Sequence, residues 1–289
     1  MNTQEALEIP KQRTAAVEPQ DFPEPAPLDS HGPARIIAMV NQKGGVGKTT
    51  SSINLGAALA AYGRKMLLVD FDPQGALSVG LGLNPYELDI SIYNLLMNPR
   101  LDPHEVIVET EFDNIDILPA NIDLSAAEVQ LVGEVAREQV LARALSKVAD
   151  EYDVILIDCQ PSLGLLTVNA LTAAHGVVIP LETEFFALRG VALLVETIEK
   201  VQDRINPRLE LDGILITMFD PRTLHAREVC QRVVGAFPDK VFHTTINRTV
   251  KFPDASVAAE PIISYASSTK GADAYRQLAR ELISRGAAA

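Results

Sequence analysis

The chain of 289 residues carries a formal net charge of −13, 47% hydrophobic residues and two cysteines. Cys159 and Cys230 are too few for a disulfide framework and lack metal-ligand spacing, which suits buried thiols in a reducing cytoplasm. The acidic average opposes nucleic acid, so any such contact has to come from a local basic surface, and the apolar content is ample for a single α/β domain.

Residues 1–33 stand apart, with six prolines, six acidic and two basic residues, and Phe22 as the sole aromatic. That composition buries too little apolar surface to order itself, and it lacks the layout of a secretory signal, so a disordered tail is expected. From 34 to 289, apolar runs of strand length alternate with segments of helix length. This is the pattern of a doubly wound, mostly parallel sheet with helices on both faces. The expected strands are Ile36 to Val40, Met66 to Val69, Ile115 to Leu118, Val154 to Ile157, Val177 to Ile179, Gly213 to Thr217 and Val241 to Thr244.

The first strand leads into Asn41-Gln42-Lys43-Gly44-Gly45-Val46-Gly47-Lys48-Thr49-Thr50, and a helix follows as far as Gly63. Strand, glycine loop and helix N-terminus form a cradle for a polyphosphate, because glycines let successive N–H groups converge on phosphate oxygens. In this motif Lys48 faces the β- and γ-phosphates and Thr49 offers its hydroxyl to Mg²⁺. The second strand ends in Asp70-Phe71-Asp72, where ligands bind in open α/β sheets. There Asp72 is expected to orient the attacking water while Asp70 supports the Mg²⁺ shell.

Ser125-Ala126-Ala127-Glu128 has the form of a capping box, which predicts a helix to about Ala149. Val154 to Ile157 then ends in Asp158, an apolar strand closed by an acid, whose carboxylate is expected to hold Mg²⁺ through water. Leu163 to Leu181 has no Asp, Glu, Lys or Arg across 19 residues. Asn169, His175-Gly176 and Pro180 interrupt it, so it divides into a helix and a buried strand rather than a membrane span. His175 reads as a satisfied turn residue. Arg222 to Lys251 holds six Lys/Arg against two acids, a local +4 in an acidic chain and a candidate phosphate-binding face. The C-terminal Tyr275 to Ala289 reads as a closing helix packed on the sheet.

Lys43 replaces the first glycine of G-x-x-x-x-G-K-[ST], and this deviant Walker A pattern resembles the ParA/MinD group of ATPases. Further segments narrow the likeness to ParA-type partition proteins of the Soj kind: Asp72-Pro73-Gln74-Gly75, Asp158 to Gly164, Glu184 to Gly190, Thr217 to Thr223 and Ile246 to Lys251. The resemblance implies a P-loop NTPase fold for 34–289, with ATP and Mg²⁺ bound by residues 43–50 and by Thr49, Asp70 and Asp158. It implies weak, partner-stimulated hydrolysis using Lys43, Lys48 and Asp72, with Lys43 reaching the partner's phosphates in an ATP-sandwiched homodimer. It further implies non-specific binding of double-stranded DNA through Arg222, Arg248 and Lys251, release by a ParB-type centromere-binding protein, and a cytoplasmic, nucleoid-associated location. The alternative within the fold is a MinD-like positioning ATPase on a membrane, which needs a basic amphipathic C-terminal helix; no membrane partner is expected. Departures from the pattern fall at Ala76, Gln160 and Lys251, none in a phosphate or metal role.

Overall fold

A computed structural model describes residues 20–184 and 187–288. Seven strands form one sheet: β1 (Arg35–Met39), β2 (Met66–Phe71), β3 (Val108–Glu109), β4 (Ile115–Leu118), β5 (Val154–Cys159), β6 (Gly176–Glu182) and β7 (Glu210–Thr217). Their spatial order is β3-β4-β2-β5-β1-β6-β7, and every pairing is parallel except that of β3 with β4. Alternating side chains of each strand serve opposite faces, and both faces are apolar, as a covered parallel sheet requires. Ile36 and Ala38 of β1 join one core cluster, while Ile37 and Met39 join the other.

The first cluster is covered by α3 (Ile92–Met97), α4 (Leu124–Gln130), α5 (Val140–Leu145), α6 (Leu165–Ala173), α7 (Ala187–Arg204) and α8 (Leu224–Ala236). The second lies beneath α1 (Lys48–Ala61), α2 (Ala76–Gly80), α9 (Lys251–Val257), α10 (Ile262–Tyr265) and α11 (Lys270–Ser284). In α11, Tyr275, Leu278, Ala279 and Leu282 are buried, so its apolar face is spent on the core, largely against α1. The charge-poor stretch 163–181 becomes α6 followed by β6, and among the described residues no helix is long and apolar enough to cross a membrane.

Two expected elements take another form. Val241 to Thr244 is not a strand: Val241 makes an isolated bridge to Ile214, and the chain bonds to β7 again only at Ile246. The buried Glu281 carboxylate accepts from the His243 and Thr244 N–H groups at 2.8 and 2.9 Å, and Thr244 N, the next after Phe242 N to face β7, is thereby withheld from a ladder. The long helix from Ser125 is broken. Here α4 stops at Gln130, short 3₁₀ turns occupy 131–133 and 137–139, and Ala136 between them has a positive φ of 54°. The capping box does not form, because Ser125 Oγ donates to the Ile122 carbonyl while Glu128 Oε1 accepts from Gln160 Nε2 at 2.9 Å.

Most of the segment expected as a tail, 1–19, lies outside the described residues. Residues 20–33 have neither helix nor strand, yet they lie against the body. Phe22 is buried beside His243, Arg64 donates to the Ala26 carbonyl, and the buried Asp153 accepts from Gly32 N and His31 Nδ1.

Candidate nucleotide site

Because β1, β2 and β5 run parallel, the loops that follow them open at one end of the sheet. That is where an open α/β sheet binds ligands. The loop after β1 turns on Gly45 and Gly47, whose φ values of 76° and 83° are left-handed and suit glycine. Asn41 braces its entry, accepting from Lys43 N at 2.9 Å and donating to the Pro180 carbonyl at 2.7 Å. Thr217 at the end of β7 fixes its far side by donating to the Val46 carbonyl at 2.8 Å.

The helix α1 begins at Lys48, so its unpaired first-turn N–H groups face the loop. The Lys48 side chain is buried and its ammonium donates to the Lys43 carbonyl at 3.1 Å, inside the curl of the loop. Burial lowers its pKa, against the opposing pull of Asp158. An ammonium held in such a place is well matched to an anion.

Asp158 at the end of β5 accepts from Thr49 Oγ1 at 2.7 Å and from Ser52 Oγ at 3.1 Å. Burial pushes its pKa up to about 6 despite those hydrogen bonds and the Lys48 charge. Ser52 was not foreseen, although its position one turn beyond Thr49 on the same helix face was a readable signal. Asp70 lies beside Asp158 in the sheet register but turns elsewhere: its Oδ2 accepts from Ser78 N and Oγ at 2.8 and 2.7 Å. Burial, and then the Asp158 charge, raise its pKa to about 7. Asp72 is half-buried, and its side chain caps the turn by accepting from Gln74 N at 3.0 Å. Gly75, with φ 64°, lets the chain pass where a Cβ would stand 2.9 Å from Pro85 and 3.2 Å from the Ala120 carbonyl.

Lys43 is exposed at the rim. Its ammonium lies 2.7 Å from Glu184 and 3.1 Å from Glu182, and although burial alone would lower its pKa, these carboxylates hold it raised. Beside the loop a cavity of about 540 Å³ is bounded by Gly47, Thr50, Met218, Asn247, Val250 and Phe252. Met218 there has a positive φ of 49°, a local strain at the end of β7.

Arg222, Arg248 and Lys251 are exposed, and each is paired with a carboxylate: Asp220, Glu182 and Asp254 respectively. The local +4 of the segment is therefore partly compensated by acids outside the range that defined it or close beside it. Arg227 and Arg232 are exposed without an ion pair among the described residues. Both cysteines are buried, and burial raises the Cys159 pKa. His175 Nδ1 accepts from Ile36 N at 3.0 Å, as a turn residue should. Among the described residues no group of three or more His, Cys, Asp or Glu could hold a metal by itself.

Fold and loop define a P-loop nucleotide hydrolase of the deviant Walker A type. Residues 34–211 match a protein family described as an AAA domain. The chromosome-partitioning ATPase Soj of Treponema pallidum is 50% identical over 251 residues, covering 87% of this chain and 98% of that protein. The chromosome partitioning protein ParA of Caulobacter vibrioides is 45% identical over 260 residues, covering 89% and 96%. A crystal structure of cobyrinic acid a,c-diamide synthase from Mycobacterium smegmatis, solved with ADP and magnesium, aligns with a TM-score of 0.77 at 43% identity, covering 86% and 94%. The chain belongs to the ParA/Soj family of chromosome-partitioning ATPases.

Proposed function

We propose that the chain binds ATP with Mg²⁺ in the loop 43–50 and uses its hydrolysis to time a DNA-bound state. The observation that carries this reading is the buried Lys48 ammonium within a curl of backbone, beside the Thr49–Asp158 pair. The N–H groups of Gly44 to Thr50 would hold the phosphates, and the neighbouring apolar cavity the base. Thr49 and Asp158 fit Mg²⁺ as an oxygen donor set, directly and through water, and the bound ion would neutralise charge developing on the phosphates. Asp72 stands at the mouth, where its carboxylate orients the attacking water. Asp70, with one oxygen given to Ser78, acts from behind by fixing the turn that carries Asp72.

Lys43, exposed at the rim, reaches the phosphates of a second copy in an ATP-sandwiched homodimer. That dimer binds double-stranded DNA without sequence preference through Arg222, Arg248 and Lys251, aided by Arg227 and Arg232. A ParB-type partner stimulates hydrolysis and releases it, which places the protein on the nucleoid in the cytoplasm during chromosome segregation. The burial of the apolar face of α11 favours this reading over a MinD-like membrane ATPase. The test is sedimentation of the purified protein with two unrelated duplexes and with anionic vesicles, each with ATP and with ADP. ATP-dependent pelleting with both duplexes supports the reading, and pelleting with vesicles alone overturns it.

A further inference from the structure

Glu182, the last residue of β6, stands between the nucleotide loop and the basic face. Its side chain is 15% exposed, and its two oxygens are divided between two cations. Oε2 lies 3.1 Å from Lys43 Nζ, and Oε1 accepts from Arg248 Nη2 at 2.9 Å. Lys43 and Arg248 come from distant parts of the sequence and both pair with this carboxylate.

We propose that Glu182 is a positioning residue that restrains Lys43 and Arg248 together, so that one acid holds back both the cation aimed at the partner's phosphates and the cation aimed at DNA. The proposal rests on the roles given above to those two residues. Its physical basis is simple. A mostly covered carboxylate that loses one cation attracts the remaining one more strongly, and losing both leaves it without a counter-charge. Departure of either cation thus makes departure of the other harder, a coupling that is reciprocal. Glu182 acts as a brake on each engagement and sets how much nucleotide and DNA are needed to complete the switch. Glu184 lies 2.7 Å from Lys43 and among the described residues makes no ion pair with Arg248, whose charge it feels only as a minor influence, so it restrains chiefly the lysine.

The experiment uses the full chain and the variants Glu182→Gln, Glu184→Gln, Lys43→Ala, Arg248→Ala and Glu182→Gln/Arg248→Ala. Fluorescence anisotropy on duplex DNA at saturating ATP reports Arg248, and light scattering against ATP concentration reports Lys43. Glu182→Gln should bind DNA about two- to fivefold more tightly, and should dimerise at an ATP concentration lower by a similar factor, the range expected for removing partly exposed ion pairs. Adding Arg248→Ala should cancel the gain in DNA affinity but keep the gain in dimerisation. Glu184→Gln should shift dimerisation more than DNA binding.

A residue that merely supports the fold would weaken both properties when replaced, not strengthen them. Unchanged or weakened DNA binding and dimerisation in Glu182→Gln overturn the brake, provided Lys43→Ala still loses dimerisation and Arg248→Ala still loses DNA. If those two variants behave as the parent, the underlying roles fail instead. Should Glu182→Gln not fold, Glu182→Asp is read by the same criteria, since a side chain one methylene shorter cannot span both cations.

Discussion

Thr49 Oγ1 donates to Asp158 Oδ2 across 2.7 Å, tying the first turn of α1 to the end of β5. The hydroxyl and the carboxylate satisfy each other; in the role proposed for them, both would offer oxygens to Mg²⁺ or its waters. Asp158→Asn should therefore weaken Mg²⁺ support of ATP hydrolysis by about 10- to 100-fold, the usual effect of losing an outer partner of a metal ligand. Hydrolysis rates across a Mg²⁺ titration check this. A parent-like titration curve would remove Asp158 from the metal site.

The roles proposed for Lys48 and Asp72 fall at different stages, which mutation separates. Lys48→Ala should abolish ATP retention, because its buried ammonium meets ground-state phosphates. Asp72→Ala should retain ATP and accumulate the dimer, because that carboxylate is needed only when water attacks. Nucleotide retention by filter binding, read alongside light scattering, separates the two. Equal loss of ATP in both variants would contradict the division of labour.

The DNA-binding assignment predicts a salt dependence. If each subunit of a dimer contributes two or three of Arg222, Arg248 and Lys251, roughly four to six phosphates are neutralised, and log K should fall against log salt with a slope of about −4 to −5. Arg248→Glu should weaken binding to all duplexes alike and flatten that slope, since phosphate contacts carry no sequence information. Anisotropy across a salt series is the measurement. A parent-like slope would place the DNA surface elsewhere.

The raised pKa of Asp70, about 7, gives a stability prediction for the protein without nucleotide or metal. Because its folded pKa exceeds the unfolded value, the folded state binds more protons, and stability falls as pH rises between the two values. Asp70→Asn removes this penalty but disturbs the hydrogen bonds at Ser78, a cost that does not depend on pH. The stability of the variant relative to the parent should thus improve from about pH 5 to about pH 8. Denaturant melts at both pH values check it, and a pH-independent difference would mean that Asp70 is ionised throughout.

The glycine loop and the strands ending in Asp70 and Asp158 were legible because local spacing encodes them: apolar run, tight turn, charged residue. The failures arose where a distant side chain competed for a local hydrogen bond. Glu281 takes the Thr244 N–H that would have continued a ladder with β7, and Gln160 takes the Glu128 carboxylate that would have closed a capping box. Ser78, eight residues on, takes one oxygen of Asp70, a contact with no local signature. The sharing of Glu182 between Lys43 and Arg248 had no local signature at all. Strand β3, two residues long, offers too little periodicity to read.

The place of β1 between β5 and β6 also governs when the loop can take shape during synthesis. Its two neighbours lie more than a hundred residues downstream, and the Thr217 hydroxyl that fastens Val46 comes later still. A growing chain that ends before β5 and β6 possesses the entire glycine motif as sequence but lacks the strands that flank β1, and one that ends before β7 still lacks the Thr217 hydroxyl that fastens the loop. The glycine motif is thus early in sequence and late in structure: its shape depends on strands that are made last.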